Sequence, residues 1–464
     1  MLFYRLKRGY CLRGWEKLTC VLVKRPGNRV RVLEQDVFQC LMLCDGETES
    51  EVFPEAYLPV LKEYEREGIV EASELPQPLE KDQYYRYYKN RYVSSAFWSV
   101  TGRCNYRCRH CFMDAPEGTL GEISTEQALD FIDQMADCGI LRVEITGGEP
   151  FVRKDFWQLA DRLISYKITI GKIYSNGWLL NDAVLDSFEQ RGLKPQFSIS
   201  FDGTGWHDWM RGVEGAEQAA LRALRLCHAR GFPTDVEMCV HRGNIDKIAE
   251  TVEVLRSAGV GFLKIGSVSP TALWLRNSGG NEISEEEFVE AALRYIPQYF
   301  EAGRPFDIIV NNVIELFGSG SERAYSVIAE SYDGTDACLN YCLCQAARNH
   351  CYITPEGRLL PCMPMTACQE QRGFPLIQEI GLREGLSGSV YMEFVDRRLR
   401  DLFAVNQKCA ACPYRLKCGG GCRAKALENG DIMGADPTQC MLWEKGYVEK
   451  IHRAADEAIA RYGK

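Results

Sequence analysis

The chain has 464 residues, 46% of them hydrophobic and 26% charged, with a formal net charge of −9. At roughly 150 residues per domain this suggests about three domains with sizeable cores, and the acidic balance argues against a general nucleic-acid binder. Its 21 cysteines fall short of the ~8–10% of a disulfide-stapled scaffold, and their odd number cannot pair completely.

The N-terminus, MLFYRLKRGY, carries charge but no apolar signal-peptide segment, and no stretch approaches the ~20 apolar residues of a membrane helix. The expectation is a cytoplasmic protein without a membrane or nucleic-acid partner, whose cysteines serve metal or redox chemistry. Charge is uneven: residues 1–33 carry +8, leaving −17 on the rest. Such asymmetry suggests a partner of opposite sign, with a solvated hairpin face as the plainer alternative.

Residues 19–33 spell a β-hairpin, two β-rich runs around Pro26-Gly27-Asn28. A short apolar helix follows over 37–43 and stops at Asp45-Gly46; a second spans 57–67 and stops at Gly68. Strands then short helices describe a small winged-helix-like unit. Residues 74–81, with Pro76 and Pro78, form a linker, and 84–92 (YYRYYKNRY) bridge to the next domain.

From Ser95 to about Val310 strand and helix alternate. Five amphipathic runs stop at a glycine before an apolar strand begins, at Gly139, Gly192, Gly231, Gly259 and Gly303. Glycine just past a helix supplies the left-handed cap conformation. The helix after Ser124 has a capping box with Gln127 and an apolar stripe at Leu129, Ile132, Met135 and Ala136. Repeated βα units give a parallel sheet, either a partial barrel or a doubly wound sheet. From Cys338 periodicity weakens and cysteines crowd, ten of them between Cys338 and Cys422. That composition predicts a region folded around ligands rather than an apolar core.

Cys104-x3-Cys108-x2-Cys111 follows the strand over 96–101. Three thiolates on one loop hold three corners of a cube and leave a fourth open. Zinc sites usually use four ligands from paired CxxC units, so this spacing favours a [4Fe–4S] cluster with one exchangeable iron over a zinc knuckle. Next come Gly147-Gly148-Glu149-Pro150, Ser175-Asn176-Gly177, and Ser198–Gly203 with His207 and Arg211-Gly212 beyond. The first three end successive strands, where parallel α/β folds place ligands. Further on stand Cys409-x2-Cys412-x5-Cys418-x3-Cys422-x17-Cys440, preceded by Cys338-x5-Cys344 and Cys344-x12-Gly357-x4-Cys362.

Residues 95–310 resemble the radical S-adenosylmethionine (SAM) superfamily. The resemblance implies a partial (βα)6 barrel with Cys104, Cys108 and Cys111 on a [4Fe–4S] cluster. It also implies Gly147, Gly148 and Glu149 at the SAM amino group, Ser175, Asn176 and Ser200 near the ribose, Arg211 near the carboxylate, and His110 at the adenine. Reductive cleavage of SAM then yields a 5′-deoxyadenosyl radical. The C-terminal spacing resembles the SPASM extension, which implies two auxiliary [4Fe–4S] clusters. One would take Cys338, Cys344, Cys362 and Cys422, the other Cys409, Cys412, Cys418 and Cys440, with Cys342 a rival for Cys344. The first 75 or so residues resemble the RiPP recognition element, a PqqD-like leader-binding domain of ribosomally made, modified peptides. Such domains add the leader as an extra strand, and a basic strand edge would suit an acidic leader.

The expected organisation is therefore α/β: recognition element 1–80, bridge 81–94, radical SAM barrel 95–310, and SPASM domain with a terminal helix 311–464. The implied activity is peptide maturation, supplied with electrons by a flavodoxin or ferredoxin. A Cys-to-carbon thioether of the sactipeptide or ranthipeptide type leads, and carbon–carbon crosslinking follows. Formylglycine formation is disfavoured, since sulfatase-maturing relatives carry an Asp base where this chain has Met363. A non-catalytic leader-binding scaffold or redox sensor is the alternative of another class. The remaining cysteines, Cys11, Cys20, Cys40, Cys44, Cys138, Cys227, Cys239, Cys342, Cys351 and Cys368, are expected mostly as small buried hydrophobes.

Overall fold

In the computed structural model, which describes residues 2–14, 20–25, 29–113, 115, 120–367 and 373–463, the N-terminal module is built from six strands. These are β1 (Phe3–Leu6), β2 (Tyr10–Arg13), β3 (Val21–Lys24), β4 (Arg29–Val32), β5 (Asp45–Glu49) and β6 (Val70–Ser73). They form two antiparallel sheets, in the orders β5-β1-β6 and β2-β3-β4. The expected hairpin is β3–β4; its turn at Pro26-Gly27-Asn28 lies outside the described residues. Helices Gln35–Met42 and Leu58–Arg66 stand where the apolar spacing predicts them. Phe38, Leu41, Leu61 and Tyr64 from these helices close a core with Leu6, Leu12 and Leu22. Strand β5 begins at Asp45-Gly46, where the sequence predicts only the end of a helix. The Asp45 carboxylate accepts from the N–H groups of Glu47 and Thr48 at 2.8 and 2.7 Å, and Gly46 sits at φ +78°, which turns DGETE into a partner of β1.

Much of the module's positive charge is answered inside the chain. Arg5 pairs with Glu71, Arg8 with Glu80, Arg25 with Asp82 and Arg31 with Glu67. Arg13 is buried and donates to the carbonyls of Cys138 and Gly139, just past the C-terminal end of the helix Thr125–Asp137, where a cation opposes the helix dipole. The Tyr88 ring lies 4.3 Å from its guanidinium. Charge asymmetry alone therefore does not call for an acidic partner. The bridge 84–92 is a tyrosine clamp on the barrel side of the module.

The large sheet comprises β7 (Ser95–Ser99), β8 (Arg142–Thr146), β9 (Thr169–Ser175), β10 (Gln196–Ser200), β11 (Thr234–Val240), β12 (Phe262–Ser267) and β13 (Asp307–Val310), all parallel and adjacent in chain order. This is one strand more than the six the resemblance implied. All five predicted glycines take positive φ. The sixth helix-to-strand turn, before β9, has no glycine; Lys167 adopts φ +58° there, which explains why punctuation alone passes over it. The capping box of Ser124 with Gln127 is present.

Residues beyond 310 extend the same sheet at both edges. Strands β14 (Ile314–Leu316) and β15 (Tyr325–Val327) follow β13, while β16 (His350–Ile353) pairs parallel with β7 and β17 (Leu359–Leu360) caps it. The expectation that the C-terminal region lacks an apolar core is corrected. Leu382, Leu386, Tyr391, Leu442, Ile451 and Ala455 belong to the main core, because the helices carrying them pack on the barrel rather than forming a separate unit. No helix of the described residues is long and apolar enough to cross a membrane.

Candidate functional site

The loop carrying Cys104, Cys108 and Cys111 leaves the end of β7 and is held between two glycine-lined walls. On one side the N–H groups of Gly148 and Glu149 donate to the Thr101 and Arg103 carbonyls at 2.8 and 2.9 Å. A Cβ at Gly148 would collide with the Arg103 carbonyl; the second glycine serves the approach of two loops. On the other side the Arg107 N–H reaches the Arg211 carbonyl at 3.2 Å and the Arg109 N–H reaches Met210 at 2.9 Å. The Arg109 guanidinium stacks 4.6 Å above Trp209 and donates to the Trp209 and Asn277 carbonyls. This fixes the loop to the helix His207–Arg211.

Each of the three sulfurs faces donors. Cys104 Sγ accepts from the Tyr106 N–H at 3.3 Å and lies 3.9 Å from Asn176 Nδ2. Cys108 Sγ lies 3.9 Å from Arg211 Nη1, and Cys111 Sγ accepts from the Ala115 N–H at 3.4 Å. Burial pushes the Cys104 thiol up to about 12, so its deprotonation needs a positive partner bound beside it. Among the described residues no three cysteine sulfurs lie mutually within 4.8 Å. A tetrahedral zinc with ~2.3 Å bonds holds its thiolates about 3.8 Å apart, closer than these three all stand to one another in this structure.

The sulfurs open onto a cavity of about 260 Å³ at the carboxyl ends of β8–β11. Of the residues expected there, His110, Gly147, Gly148, Ser175, Asn176, Ser200 and Arg211 line it with the three cysteines. Glu149 does not. Its carboxylate is fully buried one layer behind, accepting from Ser175 Oγ at 3.1 Å and from the Asn176 N–H at 2.9 Å. Burial raises its pKa to about 7, against the pull of those donors.

Arg211 is not a free cation. Asp202 grips it through Nε at 2.7 Å and Nη2 at 3.1 Å, and the Cys239 N–H also donates to Asp202, at 3.0 Å. Burial alone would raise the Asp202 carboxyl, but Arg211 and His207 outweigh it and hold it well below the usual range. A ring nitrogen of His110 comes within 4.8 Å of both Asp202 and the Cys239 sulfur. Burial and Arg211 lower its pKa to about 3, so the ring is neutral. Sequence reasoning gave no place in the site to Tyr174, Glu237 and Cys239, which also line the cavity, as does Met363, singled out there for the Asp it replaces. The signal for two of them is the alternation of β11, whose Asp235, Glu237 and Cys239 interrupt the buried Val236, Met238 and Val240.

A second cavity, of about 380 Å³, is walled by Cys409, Cys412, Cys418 and Cys440 with Phe403, Tyr414 and Trp443. Asn406 caps the short helix that carries Cys409, and Asp436 caps the helix Pro437–Glu444 that carries Cys440. The same Asp436 accepts from the Cys422 N–H at 2.8 Å, so Cys422 is tied to this cavity's frame although its sulfur is not among the lining groups. Of the other expected set, Cys344 is near enough to Cys422 for that thiol to raise its pKa, after burial. Cys338 packs with Leu343, Leu399 and Leu402, and Cys362 follows β17 on the edge of the main core. The sulfur of Cys342 accepts from Arg348 Nη1 at 3.1 Å and Arg398 Nη1 at 2.8 Å. Of the remaining cysteines, Cys11, Cys40, Cys44, Cys138, Cys227 and Cys351 are buried as expected; Cys368 lies outside the described residues.

Residues 98–255 match the radical SAM superfamily profile. They form a radical SAM domain. Among similar proteins, the AdoMet-dependent heme synthase of Methanosarcina barkeri is 25% identical over 351 residues, 73% of this chain and 94% of its own. The PqqA peptide cyclase of Granulibacter bethesdensis is 26% identical over 370 residues, 78% of this chain and 90% of its own. Streptococcus suis SuiB, solved with S-adenosylmethionine and also with its precursor peptide SuiA, shares the fold. In the S-adenosylmethionine complex its TM-score is 0.64 at 14% identity, over 94% of this chain and 100% of SuiB. That coverage takes in the N-terminal module as well as the radical SAM domain.

Proposed function

We propose that this chain is a radical SAM peptide maturase that installs an intramolecular crosslink in a ribosomal precursor peptide, with a Cys-to-carbon thioether as the favoured bond. The observation that carries the reading is the cavity walled by Cys104, Cys108 and Cys111 together with Gly147, Gly148, Ser175, Asn176, Ser200 and Arg211, three donor-served sulfurs beside a polar space. A [4Fe–4S] cluster bound there with SAM supplies a 5′-deoxyadenosyl radical from one electron and the C5′–S bond. The chain's own part is to hold and shield. Gly147, Gly148, Ser175, Asn176, Ser200 and Arg211 line the space for SAM, Asp202 keeps Arg211 in place, and Glu149 braces the loop from behind. Exclusion of water from this cavity protects the radical.

Cys409, Cys412, Cys418 and Cys440 are the ligands of one auxiliary [4Fe–4S] cluster in this reading, and Cys338, Cys344, Cys362 and Cys422 of a second. Cys344 is preferred over Cys342 because two arginines already occupy the Cys342 sulfur. Met363 lines the cavity without a proton-accepting group, which disfavours formylglycine formation. The peptide substrate is supported by relatives named for peptides and by the N-terminal module, residues 1–80, read as a winged-helix-like recognition element. Its strand β4 is paired on one edge only and exposed throughout, so a leader can add to it as a further strand.

The test is anaerobic incubation of the reconstituted chain with SAM, a flavodoxin or chemical reductant, and the precursor encoded beside its gene. The expected product has lost the mass of two hydrogens and one alkylatable thiol. Loss of hydrogens with all thiols free points to a carbon–carbon bond instead. A peptide left unchanged while no 5′-deoxyadenosine forms contradicts the maturase reading and favours a scaffold or sensor.

A further inference from the structure

Among the described residues that wall the barrel cavity, Glu237 is the one carboxylate, and nothing above gives it a task. It points into the lumen because β11 alternates: Val236, Met238 and Val240 enter the main core, leaving Glu237 and Cys239 on the opposite face. Register places Ser200, Glu237 and Lys264 side by side on β10, β11 and β12. Lys264 Nζ holds Glu237 Oε1 at 3.2 Å while 35% of the glutamate side chain stays exposed. The carboxylate is thus oriented but not shut in. Across the cavity the wall changes character, with Phe112, Met113 and Ala115 of the cysteine loop and Met363 after Cys362. A space with one apolar wall and one anchored carboxylate is complementary to a hydrocarbon stem ending in a hydrogen-bond donor.

We infer, resting on the maturase reading, that Glu237 is a specificity-determining residue for the peptide: oriented by Lys264, it accepts a hydrogen bond from the N–H or O–H tip of the substrate residue whose stem lies against Phe112, Met113 and Met363. That stem is where hydrogen is abstracted, so the residue modified has aliphatic or benzylic carbon and a polar end, as in Lys, Arg or Tyr, and is not purely hydrocarbon.

The experiment uses the cluster-loaded full chain with S-adenosylhomocysteine, which sets up the site without turnover. Binding of the fluorescein-labelled precursor encoded beside the gene is followed by anisotropy, with its isolated leader as a control. Glu237→Gln is expected to weaken the full precursor by roughly tenfold, since a hydrogen bond to a charged acceptor becomes one to a neutral amide, and to leave the leader's affinity as it was. Glu237→Asp recovers part of the loss. Replacing the substrate's donor-tipped residue by Leu costs wild type a similar factor and costs Glu237→Gln almost nothing further. SAM affinity, read by equilibrium dialysis, separates a cofactor role. A variant that loses SAM rather than precursor places Glu237 on the ribose hydroxyls and overturns the inference. So does precursor affinity equal to wild type. A wild-type chain that binds leader and SAM but never modifies the peptide defeats the maturase reading, whatever Glu237 does to binding.

Discussion

The two cysteine-walled cavities share a ligand type and differ in how many sulfurs they offer and in what stands beside them. In the barrel, three sulfurs stand among Ser200, Asn176, Tyr174, Glu237 and the Arg211–Asp202 pair. In the C-terminal region, four sulfurs stand among Phe403, Tyr414 and Trp443, whose last two rings stack at 4.7 Å, with the charged Lys408, Arg415, Asp436 and Glu444 also on the wall. Three soft ligands with polar neighbours leave a coordination position and the means to fix a small polar molecule. Four soft ligands fill every corner of one cluster and leave no open coordination position. The first arrangement suits chemistry on a bound substrate, and the second suits storing or passing an electron.

That contrast is sharpest under mutation. Replacing Cys412 and Cys418 together by Ala should abolish crosslinked product while SAM affinity and reductive SAM cleavage persist, followed by peptide mass and by 5′-deoxyadenosine. Loss of both activities together would show that the two cavities are not functionally separate. Next in size is Asp202→Ala, which leaves Arg211 charged and buried without its partner. It should cost about 3–5 kcal/mol in urea unfolding and weaken SAM binding, whereas Asp202→Asn, which keeps one acceptor, should lose less. An aromatic residue on the wall of the other cavity, Phe403, offers the control: Phe403→Leu should leave SAM binding unchanged.

A pH effect distinguishes the barrel site further. Glu149 has its pKa raised from 4.5 to about 7 by burial. The native chain therefore keeps a proton that the unfolded chain releases, so stability is fully present below about 4.5 and falls as pH rises towards 7. Full ionisation costs on the order of 3 kcal/mol. Unfolding of the metal-free chain at pH 5 and pH 8 should show this loss, and Glu149→Gln should flatten it; an unchanged pH slope in the variant would remove Glu149 as the cause. The smallest effect is expected at Arg13→Ala, which unties the N-terminal module from the end of the helix Thr125–Asp137. About 1–2 kcal/mol should go, read as earlier proteolysis between the module and the barrel, with SAM cleavage unaffected.

The barrel was legible because its signals are local. Glycine at Gly139 or Gly192 marks a helix end, and apolar runs such as 308–310 mark buried strands. Where the signal is not local, reading failed. Strand β5, DGETE, has no strand composition and exists because β1 offers it a partner. Lys167 takes a glycine's conformation. The short helices carrying Leu382, Leu386 and Tyr391 look unpatterned because they are too short to show a period, and they bury on a surface the sequence does not display. In the site, cysteine spacing and the GGE, SNG and SISFDG segments point to one cavity, and Gly147, Gly148, Ser175, Asn176 and Ser200 reach it while Glu149 stands behind its wall. Glu237 went unnoticed, and Met363 was read only for the Asp it replaces, because β11 and the turn after Cys362 meet only in three dimensions.

The central claim is that Cys104, Cys108 and Cys111 build a site for reductive SAM cleavage. It is tested most directly by measuring 5′-deoxyadenosine from SAM and dithionite, for the reconstituted chain and for its Cys104→Ala, Cys108→Ala, Cys111→Ala variant. The account predicts product from the first and none from the second, with iron falling from ~12 to ~8 per chain as one of three four-iron clusters is lost. Equal product from both, or none from either under any reducing condition, would contradict it.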